Sequence, residues 1–262
     1  MGESKSPTAT ELEAQELEVF LRSVSRSVVG IVGKQNGEFG KGIGTGNLIQ
    51  VAGAPHVLTA AHVIAGCSPD ELRFIMPSPI QIQERSPGEK PCLRPTEIVP
   101  REPLHVKACR IDVKLDMAAI ELSDIYLGFQ NLSFREIVPA PPVPNTGDYL
   151  VMMGFPSEQK QAYGENYMVT RFVEYPMVVE RGSRLLQDFD PATQFLLDYP
   201  ASEDYDPAGF SGSGLWLRKE ESGLWQPNPR MAGMFLGYYR GSKLLYAVSA
   251  RAIAGLLCGS AS

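Results

Sequence analysis

Positive charge is in short supply in this chain. Its 262 residues carry 24 Lys and Arg against 30 Asp and Glu, a formal net charge of -6. That balance argues against a general nucleic-acid-binding surface, because no basic excess is there to neutralise phosphates. Long apolar runs are missing too: none reaches the ~18–20 residues that a helix needs to cross a bilayer. The opening MGESKSPTATELEAQELEVF has no basic segment followed by an apolar core, so it does not read as a secretory signal. A cytoplasmic location is the expectation. Cysteine is scarce. Cys67, Cys92, Cys109 and Cys258 form no C-x-x-C pair and have no metal-like spacing. Free, mostly buried thiols are expected. Histidine is scarcer still, with His56, His62 and His105 all lying before residue 110.

What is plentiful points to strands. The chain is 44% hydrophobic, with 25 Gly and 21 Pro. That is enough apolar material for a sizeable core and enough punctuation for many tight turns. Residues 1–9 read as disordered. A helix is predicted from Thr10, with Thr10 and Glu13 fitting a capping box and Ala14, Leu17, Phe20 and Leu21 on one face. It is expected to pack on the outside of the main body, and it is the natural place for a regulatory partner to act. Short β-type runs follow at residues 28–32, 43–51, 56–59, 72–75, 105–111 and 117–122. A second series covers 149–153, 167–179, 194–197, 214–217, 231–236 and 244–248. The proline-rich stretch 138–147 separates them and reads as a linker. A terminal helix is predicted over 250–257. The reading is all-β, with an N-terminal extension (1–26), a first β-unit (27–137) and a second (138–262).

Three short motifs carry the chemistry. Thr59-Ala60-Ala61-His62 puts a histidine at the end of an apolar strand, with small residues leaving room beside it. Asp116 leads into the apolar run 117–122, and Asp112 is a competing candidate four residues earlier. Gly209-Phe210-Ser211-Gly212-Ser213-Gly214 flanks a serine with glycines, which permit a tight turn and close approach to a ligand. The N–H groups of Gly209 and Ser211 are then candidates for an oxyanion hole. The order is His, Asp, Ser. An α/β-hydrolase places its histidine after the nucleophile, and no histidine follows His105. The elbow G-x-S-x-G is absent, since Ser213 stands two residues after Ser211. The subtilisin order needs an aspartate before the histidine, and none precedes Asp70.

These motifs resemble the trypsin-like (chymotrypsin-fold) serine peptidase family in its bacterial form, over roughly residues 27–257. Two further stretches share in the likeness. GDYLVMMGFP (147–156) is similar to the opening of the family's second barrel, and AGMFLG (232–237) to the strand that lines its substrate cleft. The resemblance implies two antiparallel six-stranded β-barrels with the active site between them. It implies a catalytic triad of His62, Asp116 and Ser211, with no metal or organic cofactor. Tyr205, Asp206, Ala208, Phe235 and Gly237 are the implied substrate-binding residues, and the partner is a protein or peptide substrate rather than a nucleic acid or a membrane. Three departures stand out. Phe210 sits where digestive members have an aspartate, Tyr205 where trypsins have one, and no cysteine adjoins His62. A catalytically silent or partner-activated binding module is the alternative.

Overall fold

The apolar side chains of the N-terminal segment recur at helical spacing, and the computed structural model turns them inward on helix α1 (Ala9–Ser25). The described residues are 9–35, 38–68, 71–75, 96–97, 106–123, 133–138, 141, 143–145, 148–155, 167–168, 171–176, 189–198, 207–219 and 225–259. Outside them lie Tyr205, Asp206, Cys92, residues 1–8, the start of the 105–111 run, the end of the 167–179 run and about half of the 138–147 stretch.

Fifteen strands are described, in three sheets. The first sheet contains β1 (Val28–Gln35), β2 (Glu38–Val51), β3 (Ala54–Ala60), β4 (Arg73–Ile75), β6 (Val106–Asp112), β7 (Met117–Leu122) and β8 (Arg135–Glu136). Its order is β4-β1-β2-β3-β7-β6, with β8 alongside β2. All its pairings are antiparallel except β2 with β8. The second sheet contains β9 (Tyr149–Gly154), β11 (Arg171–Pro176), β12 (Gln194–Asp198), β13 (Gly214–Lys219), β14 (Trp225–Tyr239) and β15 (Leu244–Ser249). It is antiparallel in the order β11-β9-β13-β14-β15-β12. A two-stranded ladder joins β5 (Thr96–Glu97) to β10 (Tyr167–Met168). Two further helices are α2 (Ala61–Ile64) and α3 (Ala250–Cys258).

Period-2 alternation in the second sheet sorts its side chains into two cores. Leu150, Met152, Leu215, Leu217, Phe235, Leu245 and Ala247 fill one face, together with Phe210. Val151, Met153, Trp216, Met234, Leu236 and Val248 fill the other, which is continuous with the core of the first sheet, α1 and α3. Burial on both faces explains why β9 reads as an unbroken apolar run rather than an alternating one. Ser249 caps α3 by accepting a hydrogen bond from Ala252 N at 3.2 Å.

Helix α1 is more than an outer decoration. It begins at Ala9, so Thr10 lies within the helix rather than at its cap. Leu17, Phe20, Leu21 and Val24 are buried in the shared core, against β14 of the second sheet. Arg135 of β8 donates to Ser23 O at 2.7 Å and to Ser27 Oγ at 3.0 Å, anchoring the helix end to the first sheet. The apolar face of the helix thus belongs to the protein's own interior. Phe20 is fully buried, so Phe20→Ala is expected to cost about 3–5 kcal/mol. A thermal melt checks this, and a midpoint within experimental error of the wild type would remove α1 from the core.

Among the described residues, no helix is long and apolar enough to cross a membrane. No group of three or more His, Cys, Asp or Glu there has the geometry to hold a metal ion. Cys67, Cys109 and Cys258 are free thiols; the first two are half-buried and Cys258 is exposed, a correction to the expectation of mostly buried cysteines. Burial pushes the Cys109 thiol up from its ordinary range, and burial with the nearby Glu71 charge does the same at Cys67.

Candidate active site

Register brings the first two motifs together. Strands β3 and β7 pair so that Ala60 lies opposite Met117. The residues just beyond that pair are then neighbours, and Ala61 N donates to Asp116 O at 3.0 Å. Asp116 closes the turn between β6 and β7 with φ +50. Aspartate tolerates this left-handed conformation better than most residues. Its carboxylate engages His62 twice: Oδ1 accepts from the backbone N at 2.9 Å, and Oδ2 meets the ring Nδ1 at 2.6 Å. Two-point contact fixes the imidazole's position and selects the tautomer with the proton on Nδ1. The His62 side chain remains 48% exposed. Asp112 is engaged elsewhere, with Oδ1 accepting from Leu115 N at 2.9 Å within its own turn.

Ser211 comes from the second half of the chain and sits against β2 and β3. Ser211 O accepts from Thr45 N at 3.0 Å. The adjacent Gly212 has φ +87, and a Cβ there would collide with Thr45 O and Thr59 Oγ1. Glycine is therefore required for both its conformation and its closeness to the strand that leads into His62. The Ser211 hydroxyl donates to Leu236 O at 3.4 Å. No hydrogen bond joins it to His62 among the described residues.

The backbone around Ser211 is almost fully engaged. Phe210 N donates to Pro207 O at 3.1 Å and Ser213 N to Phe210 O at 2.7 Å. Gly212 N donates to Phe235 O at 2.9 Å, and Phe235 N to Ser213 O at 2.8 Å. Thr45 Oγ1 donates to Gly209 O at 2.9 Å. Asn47 Nδ2 donates to Gly212 O at 2.6 Å, and Asn47 Oδ1 accepts from Gly214 N at 2.8 Å. From Gly209 N to Gly214 N, two backbone groups stay without a partner among the described residues: the N–H of Gly209 and the N–H of Ser211. Gly209 has φ +93 and follows the first two residues of a turn closed by Phe210 N, the third-position conformation of a type II turn.

The other expected residues divide. Ala208 is exposed beside the loop and Gly237 is half-buried on β14. Phe235 is 1% exposed, with its ring in the second core and both backbone groups holding the serine loop. Its ring therefore faces the interior. Phe210 is likewise buried in that core. Tyr246 was not singled out by any motif. Its ring occupies the space that a side chain at Gly237 would take, and it stacks at 4.7 Å on Tyr239. Burial, then Tyr239 and the Asp116 charge, raise its phenol above the ordinary range.

No protein-family model and no curated protein matches the chain. Solved structures do. The scabies mite inactivated protease paralogue S-I1 aligns with TM-score 0.62 and 14% identity, over 90% of this chain and 93% of that one. A second structure comes from work on the coupled folding and binding of the intrinsically disordered Sesbania mosaic virus VPg protein. It aligns with TM-score 0.47 and 16% identity, over 90% of this chain and 92% of that one. The first likeness and the two antiparallel sheets define the class: the chain has a chymotrypsin-like all-β fold.

Proposed function

We propose that this protein is a serine endopeptidase working through His62, Asp116 and Ser211. The observation that carries the reading is the bidentate Asp116–His62 contact, at 2.6 and 2.9 Å, beside a serine loop with two unpartnered N–H groups. Ser211 Oγ attacks the peptide carbonyl while His62 Nε2 takes its proton. His62 then returns that proton to the leaving amine. Asp116 holds the tautomer and stabilises the imidazolium. The N–H groups of Gly209 and Ser211 receive the oxyanion, each worth about 3–4 kcal/mol in the transition state. In this reading Ser211 Oγ gives up its long bond to Leu236 O for one to His62. Catalytic hydrogen bonds commonly tighten in this way only when substrate arrives.

In this reading the two sheets belong to two β-barrels, residues 27–137 and 138–262, with the site between them. Ala208, Gly237 and Tyr246 line the substrate cleft in this reading. The Ser211 rotamer also favours a second reading, a protease whose serine engages His62 only after a ligand or partner binds. The test is labelling of the purified protein by a fluorophosphonate. Labelling of the wild type but not of His62→Ala supports the peptidase. A folded wild type that stays unlabelled would overturn it in favour of a silent or partner-activated module.

A further inference from the structure

The contacts that hold the serine loop are of two kinds. Most are backbone to backbone and are available to many sequences. Three come from side chains, and all three originate on β2 of the first sheet. Thr45 Oγ1 holds Gly209 O at 2.9 Å, while Asn47 holds Gly212 O at 2.6 Å and Gly214 N at 2.8 Å.

We propose that Thr45 and Asn47 are positioning residues for the serine loop, setting the direction of the two unpartnered N–H groups. The inference rests on the peptidase reading. A peptide unit is planar, so holding the Gly209 and Ser211 carbonyls fixes the peptide units that leave the Gly209 and Ser211 Cα atoms, and with them the backbone frame from which the two N–H groups project. Thr45 takes the Gly209 and Ser211 carbonyls, one through its side chain and one through its backbone N. Asn47 takes the next carbonyl and the N–H two residues on. Its amide thus substitutes for a neighbouring strand where the loop is too irregular to have one.

Both anchors are themselves fixed. Asn47 is fully buried, and its Nδ2 also lies 3.4 Å from Leu58 O on β3. Thr45 Oγ1 accepts from Phe155 N at 3.0 Å, and Thr45 O accepts from Thr59 Oγ1 at 2.7 Å. The same threonine therefore contacts the strand leading to His62, the end of β9 and the serine loop. That convergence lets a residue without any chemistry of its own set the geometry between base and nucleophile.

The experiment compares Thr45→Val, Asn47→Leu and Asn47→Asp with the wild type. Thr45→Val keeps the shape and removes the hydroxyl. Asn47→Asp keeps the acceptor for Gly214 N but sets an oxygen against Gly212 O. Ile49→Ala serves as control, since it cuts a fully buried residue of the same strand that pairs with His56 and Arg135. Each variant is shown to be folded by near-UV circular dichroism at the assay temperature. The readouts are the second-order rate of fluorophosphonate labelling and kcat and KM for p-nitrophenyl acetate. The expected result is a loss of about 10-fold for Thr45→Val and about 100-fold for the Asn47 variants, in labelling and kcat with KM little changed. Ile49→Ala should melt earlier yet label at the wild-type rate. Folded Thr45 and Asn47 variants that label like the wild type would overturn the inference, as would a control that slows equally. An unreactive wild type would instead refute the peptidase reading itself.

Discussion

Replacing Ser211 with alanine is expected to lower peptide hydrolysis by about 10⁶-fold while leaving the fold unchanged. The size follows from what is removed. Without Oγ no acyl-enzyme forms, and the remaining rate comes only from substrate binding and the N–H pocket, neither of which the substitution touches. The stability expectation follows from the geometry. The hydroxyl makes a single long contact, 3.4 Å to Leu236 O, whereas the loop is held through backbone groups that alanine retains. Steady-state kinetics on a casein-derived peptide pool, alongside a thermal melt, measures both. A variant that keeps a tenth of wild-type activity would show that another residue is the nucleophile.

The second large effect concerns the choice between two aspartates. Asp116→Asn should lower kcat by about 10⁴-fold with the structure intact. Asparagine tolerates φ +50 as aspartate does, and its carbonyl can still accept from His62 N. Its amide, however, would donate to Nδ1 and leave the ring proton on Nε2, where a base is needed. Asp112→Asn should change kcat by less than about twofold, because the asparagine oxygen can replace Oδ1 as acceptor for Leu115 N. Parallel kinetics on the two variants decides the matter, and a reversal of the two effects would reassign the aspartate.

That choice marks how far the sequence was legible. An apolar run starting at Met117 predicts a strand, but it cannot tell which of two acidic residues near the preceding turn faces a histidine on the neighbouring strand. The answer depends on the Ala60–Met117 register, a tertiary fact. Runs with apolar residues between Gly and Pro breaks were readable, as β3, β7, β9, β13 and β15 attest. Strands β5 and β8 are two residues each and leave no pattern. β14 extends back to Trp225 through a segment with two prolines, which local preference assigns to loop and pairing with β13 makes strand. The His62 and Ser211 motifs were visible because glycine and alanine are compelled there by close contact. Thr45 and Asn47 were not, because a threonine and an asparagine in a glycine-rich strand suggest nothing until their partners are known. Tyr246 was overlooked for the same reason: it reads as one more aromatic in a strand.

The contacts from Thr45 and Asn47 to the serine loop span 164, 165 and 167 residues of chain. Closing loops of that length is entropically costly and kinetically late compared with forming a hairpin. The β3–β7 pairing that unites His62 with Asp116 needs only the early part of the polypeptide. At about 5–20 residues per second, synthesis would have that pair available about 4–18 seconds before Ser211 is made. On the peptidase reading, hydrolytic capacity is tied to the last stage of maturation. A ribosome-bound or truncated chain would, on that reading, carry His62 and Asp116 without Ser211.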